Sequence, residues 1–330
     1  MPTLQIGGYQ LFTMESSLQE KIHPKIKSVG KRILAIYVLL TVAEVILLLF
    51  GKMNLFDSVC HAFGTVATGG FSPKNTSIAD YSPYIQYVIM VFMMLAGTNF
   101  VIHYYLLKRD FSKIKENDEL KFYVLTVLVI GVIITFGLFI KIDKSFEEAF
   151  REAFFQVISI VTCTGFATAD YLNWPVFAWV TIFFIMFLGG STGSTAGGIK
   201  MARHLVLYKN LRRNFRQILY PHAILPLRIN GQSINDETNN TILTFISVYF
   251  AVFVTGSILI VVTGVDVKTA SSSVATCMAG IGPGIGTVGP ASNFAHLPDI
   301  SKMILSFLMI IGRLEIYTVI LLFTKRFWAD

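Results

Sequence analysis

Three stretches of this chain join an apolar run to a cluster of glycines: NLFDSVCHAFGTVATGGFS (54–72), SFEEAFREAFFQVISIVTCTGFATAD (145–170) and VKTASSSVATCMAGIGPGIGTVGP (267–290). The first two begin on a small polar residue, in the manner of a helix N-terminus, and all three turn apolar. The chemistry on offer is that of the main chain. Carbonyl oxygens set around an axis can replace the water shell of a dehydrated cation. Glycine brings no side chain into the lumen and permits torsions that other residues resist. The C-terminal end of each short helix adds partial negative charge at the same place.

Such loops need a frame, and the composition says what surrounds it. Hydrophobic residues fill 54% of the 330 positions and charged residues 14%, against about 25% charged in soluble domains. Much of the surface therefore faces lipid. Long apolar spans run at about 33–50, 84–107, 122–140, 174–190, 241–263 and 303–323. Roughly 20 helical residues cross a hydrocarbon core about 30 Å thick. The glycine-bearing stretches, with about 10–15 residues before their glycines, are too short to cross and read as re-entrant. The order span, short helix, glycine loop, span occurs three times, which predicts an all-α polytopic membrane protein of tandem helix–pore loop–helix repeats. The expected divisions are a cytoplasmic N-terminal segment 1–32 and repeats at 33–115, 116–230 and 231–330.

Charge sets the orientation. Nineteen of the 27 lysines and arginines lie in the chain ends and the segments between repeats, among them Lys108, Arg109, Arg212, Arg213, Arg216, Lys325 and Arg326. That side is expected to be cytoplasmic, with the glycine loops opening outward. The net charge of +7 is spread between apolar spans, the pattern of membrane topology, and nucleic-acid binding is not expected. Cys60, Cys163 and Cys277 are odd in number and far apart, and suggest neither a disulfide framework nor a zinc site. The N-terminus lacks the basic region and apolar core of a signal peptide.

TVATGGFS, SIVTCTGFATAD and AGIGPGIGTVGPASNF, together with AGTNFVIHYYLLKRD, FLGGSTGSTAGGIKMARHLVLYKNLRR and GRLEIYTVILLFTKRFW, resemble the Trk/Ktr/HKT superfamily of potassium transporters, most closely its bacterial Trk membrane subunits. The resemblance runs through nearly the whole chain. It implies a pseudo-fourfold pore with filter glycines at Gly69, Gly165 and Gly282, and nearby carbonyls from Ala67, Thr68, Cys163, Thr164, Gly280 and Ile281. Potassium would be the transported ion and the only metal, held by backbone carbonyls, with no covalent cofactor. The resemblance further implies a homodimer in the inner membrane, carrying a cytosolic ring of nucleotide-binding regulatory subunits. The chain departs from the family pattern in one respect. The family has four pore repeats, preceded in the Trk branch by a helical hairpin, whereas this sequence begins after the first. The expectation is a truncated product, or a missing quarter supplied by another polypeptide.

Other candidates cluster around the expected pathway. GGSTGSTAGGIK (Gly189, Gly190, Gly193, Gly197, Gly198 and Lys200 among its residues) interrupts a span, and its composition makes a poor helix. A loose loop at the cytoplasmic mouth would account for it. The resemblance implies instead a mobile gate beneath the filter. It is no Walker A loop, because Ile199 displaces the lysine and no strand precedes it. Gly284, Gly286 and Gly289 satisfy GxGxxG without the strand or helix that motif needs.

Arg313 falls in the middle of the last apolar span, where a charge costs at least about 2.5 kcal/mol. It is expected in the aqueous pathway as a barrier to cations, although pairing for packing would also serve. Glu315 cannot share its helix face. Asn99 would contact the gate or Arg313, or make a polar packing contact. Glu44 is expected to be a structural partner, and His61, His103 and His204, which lack metal spacing, are expected to be structural. The expected function is potassium uptake through a carbonyl-lined filter gated by the glycine-rich loop. The alternatives are a sodium-permeable or sodium-coupled transporter of the same architecture, and a polytopic membrane enzyme. For the enzyme, the scattered histidines offer no convergent acid and base.

Overall fold

The computed structural model describes residues 26–223, 225–314 and 316–322. The expected N-terminal segment, up to residue 25, lies outside the described residues, as do Glu315, Lys325 and Arg326. Within them the regular structure is helical apart from one short hairpin, Arg228–Ile229 paired with Gln232–Ser233.

Three short helices carry the glycine loops: α2 (Leu55–Val66), α7 (Phe146–Val161) and α11 (Val267–Ala279). Each starts on a side-chain cap. Asn54 Oδ1 accepts from the Asp57 amide at 2.8 Å, Ser145 Oγ from Glu148 at 3.2 Å, and Asp266 Oδ2 from Thr269 at 2.9 Å. Each cap satisfies one of the amides a helix start leaves open.

Around them stand the long helices α1 (Ile26–Phe50), α6 (Asp118–Lys141) and α10 (Asp236–Val262). All three are long and apolar enough to cross a membrane, yet only 22%, 33% and 28% of their most apolar windows are buried within the protein. Leu39, Val42, Ile133, Phe136, Val254 and Ile258 point outward, as suits a lipid solvent. The core lies elsewhere. It gathers on α7, which packs against α6, α3 (Pro83–Ala96) and α8 (Val176–Ile185) and buries Phe155, Val157 and Ile160 among Met93, Tyr123 and Ile182.

Three expected spans are not continuous helices. The apolar run 84–107 divides into α3 and α4 (Phe100–Leu107), bent by 102° at Gly97–Asn99 and followed by the short α5 (Phe111–Glu116). The run 174–190 is helical only in α8; irregular backbone follows until α9 (Met201–Leu219). The last run ends its first helix, α12 (Asp299–Arg313), at Arg313 and resumes as α13 (Ile316–Leu322). Hydropathy is blind to such breaks, because apolar side chains suit lipid whether the backbone bends or not. What permits them is satisfaction of the freed main-chain groups. At the first break the Leu95 carbonyl accepts from His103 Nε2 at 2.9 Å and the Gly97 carbonyl from the Ser191 amide at 2.8 Å. At the second, the Phe187 carbonyl accepts from His204 Nε2 at 3.1 Å. Two of the three histidines expected to be structural thus staple broken helices.

Candidate functional site

The short helices end alike. After Val66, Val161 and Ala279 come residues with left-handed backbone at Thr68 (φ 51°), Cys163 (φ 55°) and Gly280 (φ 70°). One residue later the amides of Gly69, Thr164 and Ile281 reach back five positions, to the carbonyls of Gly64, Ser159 and Thr276, at 2.8, 2.9 and 3.0 Å. The next residues, Gly70, Gly165 and Gly282, are again left-handed, at 64°, 85° and 105°. This pattern fixes the register between the loops, and it moves one assignment. The residue equivalent to Gly165 and Gly282 is Gly70, not Gly69. Gly69 instead aligns with Thr164 and Ile281.

The loops also abut one another. A Cβ on Gly70 would lie 1.8 Å from the Thr164 carbonyl oxygen, and one on Gly165 would lie 1.9 Å from that of Ile281. No side chain fits at either place, so glycine is required twice over, by torsion and by contact. Gly282 continues the series but faces open space, as does Gly280. Behind the loops, side chains stitch each returning strand to its own helix. His61 Nε2 lies 2.9 Å from Ser72 Oγ, Ser159 Oγ donates to the Phe166 carbonyl at 2.6 Å, and Thr276 Oγ1 donates to that of Pro283 at 2.9 Å. Sequence reasoning assigned no role to Ser159 or Thr276. Their position, two or three residues before a helix end and facing a glycine loop, was the available signal.

The glycine-rich segment 189–200 lies against these loops. Its Thr195 makes four contacts with three distant parts of the chain. The Thr195 carbonyl accepts from Thr68 Oγ1 at 2.9 Å and from Arg313 Nη1 at 3.2 Å, and its hydroxyl meets the Val66 carbonyl at 2.9 Å and the Ala96 carbonyl at 3.3 Å. Gly197 presses on α11, where a Cβ would come within 2.1 Å of the Ala279 carbonyl oxygen, and Gly198 packs near Cys163 Sγ. Gly189 packs against the backbone of Gly197 and Ile199, and Gly190 accepts from the Met201 amide at 3.0 Å. Lys200 Nζ donates to the Ala196 carbonyl at 2.5 Å. Arg313 is otherwise exposed, and as the last residue of α12 it sits where a helix C-terminus favours positive charge.

Asn99 takes a different place from the one expected. Its Oδ1 caps α4 by accepting from the Val101 amide at 2.8 Å, while its neighbours make the loop contacts, the Phe100 amide donating to the Gly193 carbonyl at 3.2 Å. Glu44 is fully buried on α1 beside Thr65, with neither carboxylate oxygen in hydrogen-bonding geometry among the described residues. Glu119, which sequence reasoning passed over, is buried with its Oε1 on the amide of Thr192 at 2.6 Å.

A protein-family model described as a cation transport protein, TrkH, matches residues 1–329. The chain is 36% identical over 336 residues to the Trk system potassium uptake protein TrkH of Salmonella typhimurium, covering 100% of this chain and 69% of that one. It is 35% identical to the protein of the same name from Escherichia coli K12, with the same coverage. The crystal structure of the potassium transporter TrkH from Vibrio parahaemolyticus superposes with a TM-score of 0.86 at 30% identity, over 93% of this chain and 66% of that one. The chain thus spans about two thirds of the length of these relatives. With its lipid-facing helices, the chain is a membrane protein belonging to the TrkH family of cation transport proteins, and so a transporter and not an enzyme.

Proposed function

We propose that this chain forms most of a potassium uptake pathway, with the three glycine loops as its filter and residues 189–200 as its gate. The observation that carries this reading is the shared backbone of the loops, nested glycine against carbonyl from the first to the second and from the second to the third. Three segments with one conformation in mutual contact are what a ring of main-chain ligands requires. Related proteins bear the name potassium uptake protein, which supports potassium as the ion.

In this reading Thr68–Gly70, Cys163–Gly165 and Gly280–Gly282 contribute the carbonyls, with Ala67 at the inner edge of the first loop. The gate blocks the path beneath the filter, and Arg313, hydrogen-bonded to Thr195, adds a positive barrier. The repeats are 33–115, 116–230 and 231–330. The segments between them face the cytoplasm across the inner membrane, and the protein is a homodimer whose basic cytoplasmic face takes the regulatory ring.

Radioactive rubidium entering liposomes that carry the purified protein tests the reading. Entry should compete with potassium and be abolished by Gly165→Asp and by Gly282→Asp. Flux that survives both substitutions would overturn it, and full competition by sodium would overturn the choice of ion.

A further inference from the structure

The glycine-rich loop is held at two levels, and the lower one is the work of a single carboxylate. Glu119 sits in the first turn of α6 and is buried. Its Oε1 accepts three hydrogen bonds: from the Thr192 amide at 2.6 Å, from Thr192 Oγ1 at 3.0 Å, and from the Ala202 amide at 3.1 Å. Thr192 stands near the start of the loop and Ala202 just past its end. One oxygen atom therefore closes the segment between them into a noose. The Ala202 amide belongs to the first turn of α9, whose free amides and positive dipole end suit an anion.

Neighbouring contacts reinforce this base. The Met201 amide donates to the Gly190 carbonyl at 3.0 Å. Asp118, one residue before Glu119, accepts from Lys209 Nζ at 2.6 Å and from the Asn230 amide at 3.2 Å, which keeps α9 against α6. The tip is held differently. Thr195 meets the filter side through neutral hydroxyl and carbonyl contacts, its carbonyl also accepting from Arg313, and Lys200 donates to the Ala196 carbonyl. The base, with three bonds on one buried carboxylate, is thus the firmer end.

We propose that Glu119 is the positioning residue of the gate: it clamps the two ends of the loop together, so that opening is a swing of the tip, residues 193–199, about a base that stays closed. The proposal rests on the gate reading above, and it makes its own prediction about local motion.

Amide hydrogen exchange followed by mass spectrometry on the purified protein reads that motion without reference to transport. Glu119→Gln keeps the shape and removes the charge. Peptides covering 188–203 should then exchange about tenfold faster or more, while peptides covering 67–72, 162–167 and 279–285 keep their rates. Thr192→Val removes only the hydroxyl contact and should raise exchange in the same peptides by about threefold, so the test survives if the first variant fails to fold. Unchanged exchange over 188–203 would overturn the clamp. A rise spread evenly over the whole chain would overturn it too, marking Glu119 as a general fold contact. Rubidium flux separates the two readings. If neither wild type nor variant conducts, the pathway reading fails while the exchange result still decides the clamp. If both conduct equally despite a local rise, the clamp has no part in gating.

Discussion

The filter loops and the gate loop are both irregular, both rich in glycine and in contact with one another, yet they differ in how far polar contacts to other elements hold them. The filter loops are locked by shape. Gly70 and Gly165 lie against the carbonyls of Thr164 and Ile281 with no room for a methyl group, and each loop is stitched to its own short helix. The gate loop is close-packed at Gly197, where a Cβ would come within 2.1 Å of the Ala279 carbonyl oxygen, but it is also tied to other elements by separate polar contacts, through Thr195 at its tip and Glu119 at its base. A steric lock yields only if neighbouring backbone moves, whereas hydrogen bonds can break singly. Glycine content alone therefore does not say whether a segment is rigid; the nature of its contacts does.

The largest test of that contrast is Gly70→Ala or Gly165→Ala. Each places a Cβ within 2 Å of a carbonyl oxygen and forces left-handed backbone on alanine. The expected cost is more than about 3 kcal/mol, visible as a large drop in the melting temperature and complete loss of rubidium flux. If both variants fold normally, the loops are not sterically locked.

Arg313→Gln acts on the gate side. It removes the charge below the filter and one bond to Thr195, and should speed rubidium entry roughly tenfold, equivalent to about 1.4 kcal/mol of barrier, with little change in thermal stability. Thr195→Val removes the hydroxyl that meets Val66 and Ala96. It should cost about 1–2 kcal/mol in thermal unfolding and increase leak before it unfolds the protein.

Asp266 tests the frame beneath the third loop. The Thr269 amide and side chain hold its carboxyl below the usual range. A depressed folded pKa gives stability that is present above the unfolded value of about 3.9 and lost as pH falls through the folded one. Asp266→Ala should cost about 1 kcal/mol near neutrality and flatten that acid limb in a pH series of melting curves. The smallest effect is expected at Gly69→Ala. Its Cβ would sit 3.5 Å from Phe71 and the backbone there is not left-handed, so a change under about 0.5 kcal/mol is expected. A large loss at Gly69 beside tolerance at Gly70 would reverse the register assigned to the first loop.

Much of this was legible locally. The caps at Asn54, Ser145 and Asp266, the shortness of the apolar runs that follow, and the glycines after them are properties of neighbouring residues, and local hydrogen bonding enforces them. Gly69 and Gly70 were not separable in this way. Two adjacent glycines are equally permissive, and the choice between them is made by the Thr164 carbonyl, some 95 residues away in the chain. The glycine-rich run 189–200 announced the interruption beyond α8, but the breaks at Gly97 and after Arg313 were hidden for a related reason: hydropathy reports the solvent a side chain prefers and nothing about the path of the backbone.

The sequence by itself determined a lipid-facing helical protein with three short, capped, glycine-ended segments, because solvent preference and helix capping act within a few residues. Only the tertiary structure decided which glycines touch, where the long spans break, and that Glu119, in the first turn of a helix where an acid needs no special reason to be, binds both ends of a loop more than 70 residues further along. Those outcomes depend on main-chain groups brought together from distant parts of the chain, and backbone amides and carbonyls are the same at every residue.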